Sequence, residues 1–230
     1  MRAILLAAGL GTRLRPLTDA IPKCLMPING VPLLGIWMER LTLSGVSPLL
    51  INTHYLAEQI GKYVRNSKYS DLVSLVHEPS LLGTAGTLLE NLDFFCDEDG
   101  MLIHADNYCL ADFSQFILAH HHRPSGCVLT MMTFRTNTPS SCGIVEINKS
   151  GVVVGFHEKV SSPPSNLANG AIYIFSDEFI KEIKALSVAP KDFSTEVLSQ
   201  FIGRIYTYET SEVFIDIGTP ESYSIARALA

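Results

Sequence analysis

Runs of consecutive apolar residues, rather than alternating apolar and polar ones, recur through the first half of the chain. Such runs are typical of strands that are covered on both faces of a sheet. They predict strands at residues 2–7, 49–53, 72–77, 101–105 and 128–134. Helical patterns separate these strands at about 34–44, 56–65, 84–92 and 112–121. Strands that alternate with helices indicate βαβ crossovers and therefore a mostly parallel sheet flanked by helices.

The second half of the chain is richer in strand patterns. A polar stretch from Asn148 to Gly151 suits a hairpin turn between two of them. We predict strands at 143–147, 152–158, 171–175, 205–208 and 213–217, and helices at about 177–185 and 194–202. Thr219-Pro220-Glu221 predicts the start of a last helix, with threonine as the N-cap. We therefore expect one α/β domain over residues 1–230 with a smaller β-rich lobe.

The overall composition excludes several classes of protein. Hydrophobic residues make up 47% of the 230 residues and charged residues 17%, so we expect no extensive disorder. The net charge of -6 argues against a nucleic-acid partner, and no apolar run reaches the roughly 18 residues that span a membrane. Five cysteines without a CxxC pair favour reduced, packed thiols over disulfides or a zinc site. We expect a soluble, cytoplasmic protein without a membrane partner.

A glycine-rich segment follows the first predicted strand directly. Gly9 and Gly11 would let backbone N–H groups approach phosphate oxygens, and Arg13 and Lys23 would add positive charge. The segment lacks the closing lysine of a Walker A loop, and Leu14 stands where the dinucleotide fingerprint needs its third glycine, which argues against a nicotinamide-dependent oxidoreductase. An ordinary tight turn with solvated arginines is the alternative to a phosphate loop.

The run GxGTRLxPLTxxxPK, from Gly9 to Lys23, closely resembles the signature of the sugar-1-phosphate nucleotidylyltransferases. The resemblance extends through most of the chain. It implies a Rossmann-like fold and the reaction of an NTP with a sugar 1-phosphate to give an NDP-sugar and pyrophosphate. It also implies an NTP-binding half at about residues 1–135 and a sugar-phosphate-binding lobe at about 136–230. The nucleotide-binding residues it implies are Leu6, Ala7, Ala8, Gly9, Gly11, Thr12, Arg13, Lys23, Glu78, Gly83, Thr84 and Asp106.

Two aspartates match the positions at which this family binds magnesium. Asp106 follows the apolar run 101–105, although Ala105 replaces the usual glycine, and Asp216 lies in the stretch Phe-Ile-Asp-Ile-Gly-Thr. The resemblance implies that both hold Mg²⁺ and that they act with Arg13 and Lys23 in catalysis. A turn or helix cap is the alternative for Asp106. For Asp216, which we expect to be buried in an apolar strand, the alternative is an internal salt bridge to a lysine.

Later elements match the family's sugar-phosphate site. The implied residues are Asn107, Gly143, Glu158, Lys159, Asn169 and Gly170. A glutamate can accept hydrogen bonds from sugar hydroxyls, and a lysine can pair with phosphate. Taken singly, Glu158 and Lys159 would be a solvated surface pair. The Gly83 segment resembles the base-recognition loop, with close helix packing as its alternative.

The substrates are the least determined part of the resemblance. The stretches 51–59 and 82–86 look most like short mannose- and heptose-1-phosphate guanylyltransferases, which implies GTP, whereas Ala8 is more typical of uridylyl- and cytidylyltransferases. A uridylyl- or cytidylyltransferase acting on another sugar or a small phosphorylated alcohol, and a catalytically inactive nucleotide-sensing domain, stay open. So does a homo-oligomer. We interpret His120-His121-His122 as a solvated helix end, and Cys24 departs from the proline usual after the signature lysine.

Overall fold

A computed structural model describes residues 1–186 and 189–229. The chain divides into two compact units. Unit 1 comprises Met1–Leu81, Ile103–Leu110 and Val213–Ala230, and unit 2 comprises Leu82–Leu102 and Ala111–Glu212. Both units are assembled from segments that are distant in sequence. Lys23 and Asp216 therefore belong to the same unit, although they lie on opposite sides of residue 135 in the sequence. The predicted division into an NTP-binding half and a sugar-phosphate-binding lobe at about residue 135 stays a prediction.

In the first half of the described residues, strands and helices alternate as the apolar runs predict, and strands follow one another more often in the second half. The strands are Arg2–Leu6 (β1), Pro27–Ile28 (β2), Val31–Pro32 (β3), Leu49–Thr53 (β4), Val73–His77 (β5), Gly100–His104 (β6), Asn107–Cys109 (β7), Leu129–Arg135 (β8), Gly143–Ile147 (β9), Val153–Glu158 (β10), Leu167–Phe175 (β11), Ile205–Glu209 (β12) and Phe214–Asp216 (β13). The α-helices are Leu33–Leu43 (α1), Ala57–Arg65 (α2), Thr84–Glu90 (α3), Phe113–His121 (α4), Asp177–Lys184 (α5) and Pro220–Leu229 (α6).

In unit 1 the parallel pairing of β1, β4 and β5 forms part of the predicted sheet, which has nine strands among the described residues. Strand β4 lies between the other two, with Ala3 opposite Leu49 on one side and Leu49 opposite Val73 on the other. All five residues of β4 are buried, as a strand covered on both faces requires. Helix α1 contributes Trp37, whose side chain is buried and whose indole Nε1 donates to the Asn107 carbonyl at 2.9 Å. This bond ties α1 to the strand that follows the first predicted metal ligand.

Unit 2 has the larger share of antiparallel pairing. Strand β8 pairs parallel with β12 and antiparallel with β11, and β9 pairs antiparallel with β10. Its core contains an aromatic cluster in which neighbouring ring centroids lie 4.7–6.1 Å apart, made of Phe95, Tyr173, Phe175, Phe179, Phe193 and Phe201. Such large side chains supply much of the apolar surface that folding removes from water. The predicted α/β fold class, with its β-rich lobe, is confirmed.

Two predicted features differ from the structure. The helix expected at 194–202 is a π-helical segment, Phe193–Val197, followed by a 3₁₀ turn, Leu198–Phe201. The Asp192 carboxylate accepts from the Thr195 N–H, and the Thr84 hydroxyl accepts from the Phe193 N–H. These two bonds hold the start of the segment from outside the helix. The strand expected at 171–175 begins four residues earlier, at Leu167, because Asn169 and its neighbours also pair with β8.

The predicted start of the last helix is confirmed in detail. The Thr219 hydroxyl accepts from the Ser222 N–H at 3.2 Å, and the Ser222 hydroxyl accepts from the Thr219 N–H at 3.1 Å. This reciprocal cap satisfies backbone donors that have no partner within the helix. Among the described residues, no helix is long and apolar enough to cross a membrane.

Candidate active site

The glycine-rich loop leaves β1 and folds into three short 3₁₀ turns, Thr12–Leu14, Leu17–Asp19 and Lys23–Leu25. Gly11 has a φ of 63°, in the left-handed region that glycine adopts without strain. A Cβ at this position would lie 3.0 Å from the Thr18 Cγ2, and the buried Thr18 hydroxyl donates to the Gly11 carbonyl at 2.7 Å. Gly9 has no heavy atom within 4 Å of such a Cβ. The loop is therefore tightly held at Gly11 and open at Gly9.

The start of the loop is held by a side chain from β4. The Asn52 Oδ1 accepts from the Ala7 N–H at 2.7 Å and from the Ala8 N–H at 3.3 Å. The Asn52 Nδ2 donates to the Glu78 Oε1 at 2.8 Å. All four residues are buried. The predicted nucleotide-binding residues Ala7, Ala8 and Glu78 thus belong to one hydrogen-bonded network, and Asn52 connects them.

The two predicted metal ligands come together through a short antiparallel pair. Strand β7 begins at Asn107, directly after Asp106, and β13 ends at Asp216, which lies opposite Asn107. The Ile217 N–H donates to the Asp106 carbonyl at 3.1 Å, and the Ala105 N–H donates to the Leu6 carbonyl at the end of β1. These backbone bonds place both aspartates at the carboxyl end of β1, where open α/β sheets bind their ligands.

Lys23 lies between the two carboxylates. Its Nζ donates to the Asp106 Oδ2 at 2.7 Å and to the Asp216 Oδ1 at 2.9 Å, and only 8% of the residue is exposed. Burial by itself lowers the pKa of Lys23, but the charges of Asp106 and Asp216 outweigh it and raise that pKa above its ordinary value. Burial likewise raises the pKa of Asp106, and the Lys23 and His104 charges more than reverse this. Lys23 and Asp106 are therefore both charged at neutral pH.

The environment of Asp216 corrects one expectation. Its side chain is 47% exposed rather than buried, because β13 is a three-residue strand that pairs only through its short partner β7 among the described strands. The internal salt bridge to a lysine, which was the alternative to metal binding, is present. Arg13, 68% exposed, lies 3.6 Å from the Asp216 Oδ2 through its Nη2. Arg13, Lys23, Asp106 and Asp216 thus form one cluster of two positive and two negative charges.

Unit 2 brings together most of the predicted sugar-phosphate residues. Gly143 lies opposite Glu158 in the β9–β10 pair, and a Cβ at Gly143 would lie 2.6 Å from the Glu158 Oε2. Lys159 has a φ of 49°, its N–H donates to the Cys142 carbonyl at 3.1 Å, and its Nζ lies 3.1 Å from the Glu158 Oε1. A side chain at position 143 would therefore displace the carboxylate with which Lys159 pairs.

Asn169 lies on β11, which pairs with β9 through Ala168 and Ile144. Its Nδ2 donates to the Tyr173 hydroxyl at 2.7 Å, and its Oδ1 accepts from the Ala171 N–H at 2.9 Å. Tyr173 is fully buried, and that burial raises its pKa, so the phenol stays neutral. The register of β11 with β8 shifts between Asn169 and Tyr173, which leaves Gly170 within an irregularity of the strand. The position of the Asn169 amide is thus determined by the fold.

The Gly83 segment is held at the start of α3. Gly83 has a φ of 82°, and a Cβ there would clash with the Lys191 carbonyl. The same carbonyl accepts from the Ala85 N–H at 2.9 Å, and the Thr84 hydroxyl accepts from the Phe193 N–H at 2.7 Å. The close packing that was the alternative to base recognition is therefore present, and the role of Gly83 and Thr84 in base recognition stays a prediction.

Three residues outside the predicted site need separate mention. Asn52 was missed, although a polar residue inside a fully covered strand needs a buried hydrogen-bond partner and could have been singled out on that ground. Cys24 is buried, which raises the pKa of its thiol to about 12, so it is an unreactive packed thiol. His120 corrects the expectation of a solvated histidine run, because it is fully buried and its Nδ1 lies 2.8 Å from the Thr130 hydroxyl.

Comparison with known proteins gives a family and several relatives for this chain. A family model described as nucleotidyl transferase matches residues 2–229. The relatives include the mannose-1-phosphate guanylyltransferase catalytic subunit beta of Drosophila pseudoobscura pseudoobscura, 31% identical over 96% of this chain and 60% of that protein. They also include the mannose-1-phosphate guanylyltransferase of Mycobacterium tuberculosis, 29% identical over 96% of this chain and 62% of that protein. The chain thus spans about 60% of the length of these curated relatives.

Among solved structures, HddC from Yersinia pseudotuberculosis has the same fold. Two structures of it superpose with TM-scores of 0.83 and 0.82, at 27% identity, over 99% of this chain and 98% of that one. One of them is complexed with GMP-PN.

Proposed function

Because this chain belongs to the nucleotidyl transferase family, we propose that it transfers a nucleoside monophosphate from an NTP to a sugar 1-phosphate and releases pyrophosphate. The observation that carries the proposal is the position of Lys23, which is buried and lies within 2.7 and 2.9 Å of two carboxylates from distant parts of the sequence. A buried lysine between two aspartates at the carboxyl end of β1, beside a glycine-rich loop, suits the handling of phosphate groups better than a purely structural role.

The reaction places few covalent demands on the protein. An oxygen of the sugar phosphate would attack the α-phosphorus, and pyrophosphate would leave from the opposite side. That attacking oxygen is already ionised, so no general base is required, and positioning and charge stabilisation supply the rate enhancement. Arg13 would hold the departing pyrophosphate, and Lys23 would exchange one carboxylate contact for an oxygen of the α-phosphate. The unit 2 residues Glu158, Lys159 and Asn169 would hold the sugar 1-phosphate.

The donor set of Asp106 and Asp216 fits a magnesium ion. Oxygens of both carboxylates lie within 3 Å of the single Lys23 nitrogen, at 2.7 and 2.9 Å, so both can reach one cation. The part of the chain that the structure describes contains no group of three or more histidine, cysteine, aspartate or glutamate ligands. Two carboxylates with the remaining positions left to water and substrate phosphates is the usual arrangement for Mg²⁺. When bound, Mg²⁺ would neutralise charge on the phosphate oxygens.

We further propose GTP as the nucleotide and a mannose-like hexose 1-phosphate or a heptose 1-phosphate as the acceptor. Two relatives of about 30% identity carry the name mannose-1-phosphate guanylyltransferase, and the HddC structure is complexed with GMP-PN, which supports a guanine nucleotide. Ala8 argues against a guanine nucleotide, because alanine at this position is more typical of uridylyl- and cytidylyltransferases. Discrimination by buried hydrogen bonds of about 1–3 kcal/mol gives a preference of roughly 10- to 100-fold.

One experiment separates this function from its rivals. Purified protein with Mg²⁺ is titrated in thermal-shift assays with GTP, UTP, CTP, dTTP and ATP, and pyrophosphate release is then followed with mannose 1-phosphate or a heptose 1-phosphate. We expect the largest stabilisation with GTP, and pyrophosphate only when Mg²⁺ and a sugar phosphate are present. Stabilisation by UTP or CTP alone would reassign the base. Nucleotide binding without pyrophosphate from any substrate pair would identify a nucleotide-sensing domain instead.

A further inference from the structure

Strand β7, which directly follows Asp106, lies outside the nine-stranded sheet. Among the described strands it pairs with β13 alone, in a separate two-stranded sheet. On the β13 side, the Ile217 N–H donates to the Asp106 carbonyl at 3.1 Å, and the Leu110 N–H donates to the Val213 carbonyl at 2.9 Å. A pair of three-residue strands is only marginally stable by itself, so contacts from other elements have to hold it in place.

Helix α1 supplies two such contacts. The Trp37 Nε1 donates to the Asn107 carbonyl at 2.9 Å, and the Arg40 Nη2 donates to the Leu110 carbonyl at 2.7 Å. Successive carbonyls of a strand point to opposite edges, so the Asp106 carbonyl bonds to β13 whereas the Asn107 carbonyl is turned towards α1. Trp37 and Arg40 are three residues apart, which places them next to each other on the helix surface. Together they hold the backbone at both ends of β7.

Burial makes the Trp37 bond hard to replace. Only 1% of Trp37 and 5% of Asn107 is exposed, so water cannot readily take the place of the indole N–H. The loss of a hydrogen bond to a buried acceptor is costly, because the desolvation of that acceptor is then no longer compensated. Asp106 immediately precedes Asn107, so a movement of β7 that relieved this cost would also move the Asp106 carboxylate.

We propose that Trp37 and Arg40 are positioning residues of the candidate metal site, because they hold β7 and thereby fix the Asp106 carboxylate relative to that of Asp216. This inference rests on the proposed function and deepens it. Both side chains act through the β7 backbone and not by touching the cation. Mg²⁺ requires near-ideal octahedral geometry, whereas the larger Ca²⁺ accepts irregular geometry. A rigidly held pair of carboxylates therefore favours Mg²⁺ over Ca²⁺, and this preference depends on α1.

Three substitutions and one control test this role. Trp37→Phe removes the indole donor and keeps an aromatic side chain. Arg40→Met removes the guanidinium donors and keeps an unbranched stem, whereas Arg40→Lys keeps the charge and a donor. Thr207→Val in unit 2 is the matched control, because the buried Thr207 donates through its hydroxyl to the Gly151 carbonyl at 2.9 Å, the same length as the Trp37 bond. Valine has nearly the shape of threonine without the donor.

Amide hydrogen exchange, measured without metal or nucleotide, reports on the positioning directly. We expect Trp37→Phe and Arg40→Met to lower the protection of the Ile217 and Leu110 N–H groups about 10-fold or more, and by more than that of the β4 amides in the same unit. Arg40→Lys should lie between wild type and Arg40→Met. Thr207→Val should leave the exchange of β7 and β13 unchanged.

The preference between two cations is the second readout. Thermal-shift titrations with MgCl₂ and with CaCl₂, at constant ionic strength and without nucleotide, give the two apparent affinities. We expect the Mg²⁺ affinity of Trp37→Phe and Arg40→Met to fall about 10-fold, and their Ca²⁺ affinity to change less than about threefold. Thr207→Val should lower the melting temperature and keep the wild-type ratio of the two affinities, because a loss of stability alone does not alter that ratio.

Several results would overturn the inference. Equal losses of protection in β4, β7 and β13, or an unchanged preference for Mg²⁺ in a wild type that binds it, would identify a purely structural role. The same changes in Thr207→Val would show that destabilisation alone produces them. If Trp37→Phe does not fold, Arg40→Met decides by the same two measurements. If the wild type binds neither cation, the proposed metal site fails, and hydrogen exchange by itself decides whether α1 positions the two aspartates.

Discussion

The two lysines assigned to the site lie in opposite environments. Lys23 in unit 1 is 8% exposed and is held by two carboxylates, Asp106 and Asp216, that lie 83 and 193 residues away in sequence. The Lys159 side chain in unit 2 is 66% exposed and pairs with its own sequence neighbour, Glu158. A desolvated charge interacts more strongly with its partners than a solvated one, and an exposed pair contributes only about 0–1 kcal/mol. The first lysine is therefore pre-organised by the fold, and the second is free to reorganise around a ligand.

This difference predicts that the two regions contribute to different parts of the proposed reaction, charge stabilisation and substrate binding. A pre-organised cluster stabilises charge that develops during the reaction, because it needs little rearrangement at that moment. A solvated pair contributes mainly to binding, because its hydrogen bonds to water can be exchanged for hydrogen bonds to a ligand. Substitutions in the two regions should therefore change different kinetic parameters.

The largest effect is expected for the carboxylates of unit 1. Asp106→Asn or Asp216→Asn should lower turnover at least about 100-fold, because each removes a charge that would hold the cation and orient Lys23. Pyrophosphate release at saturating substrates measures this, and EDTA should silence the wild type until Mg²⁺ is added back. Full activity in a metal-stripped preparation would contradict the assignment of both aspartates.

A second comparison uses the exposed cations of the two units. Arg13→Ala should mainly raise the KM for the NTP, and Lys159→Ala should mainly raise the KM for the sugar 1-phosphate. Each loses a charge-assisted contact of roughly 1.5–3 kcal/mol, which is about 10- to 150-fold in affinity. Initial rates with each substrate varied in turn provide the test. A Lys159→Ala variant that changed only the KM for NTP would refute the assignment of unit 2.

The glycine-rich loop allows a matched pair of glycine-to-alanine substitutions within unit 1. Gly11→Ala should destabilise the fold by about 1–2 kcal/mol, because alanine is strained at a φ of 63° and its Cβ would lie 3.0 Å from Thr18. Gly9→Ala meets no atom within 4 Å, so its stability should stay within about 0.5 kcal/mol of wild type. If the loop binds phosphate, Gly9→Ala should nevertheless raise the KM for NTP. Unfolding curves and initial rates on both variants measure this, and an unchanged KM in Gly9→Ala would argue for an ordinary turn.

The smallest effect is expected at the buried His120 of unit 2. Burial is the largest influence on its pKa and lowers it below the ordinary value of about 6.5, with the Arg123 charge acting in the same direction and Asp99 against it. The unfolded chain therefore takes up a proton that the folded chain resists. The contribution of His120 to the free energy of unfolding is therefore fully present when the pH is above the ordinary pKa. It falls as the pH drops below that value, by at most about 1.4 kcal/mol per pH unit.

Urea unfolding between pH 7.5 and 5 measures this dependence. His120→Asn should flatten it over the window just below pH 6.5, whereas His122→Gln, at an exposed position, should leave it unchanged. An identical pH dependence in His120→Asn and wild type would show that His120 does not carry the linkage.

Much of the fold was predictable because its signals are local. The continuous apolar runs identified β1, β4 and β5 to within one residue at each end, and Thr219 identified the start of α6 through a cap made with Ser222. Periodicity and capping depend on residues within a few positions of one another. The segment after Asp192 was predicted less well, because a hydrogen bond to Thr84, more than 100 residues away, helps to hold its first turn.

The sequence by itself determined the type of fold, the glycine-rich loop and the identity of the charged residues near it. Only the tertiary structure decided which of these residues meet. It placed Lys23 between Asp106 and Asp216, left Asp216 half exposed, buried His120, and gave Asn52 its two partners in the loop. The physical reason is that a strand or helix follows from local patterning, whereas the burial of a charge and the choice of its partner depend on how strands that are distant in sequence pair and pack.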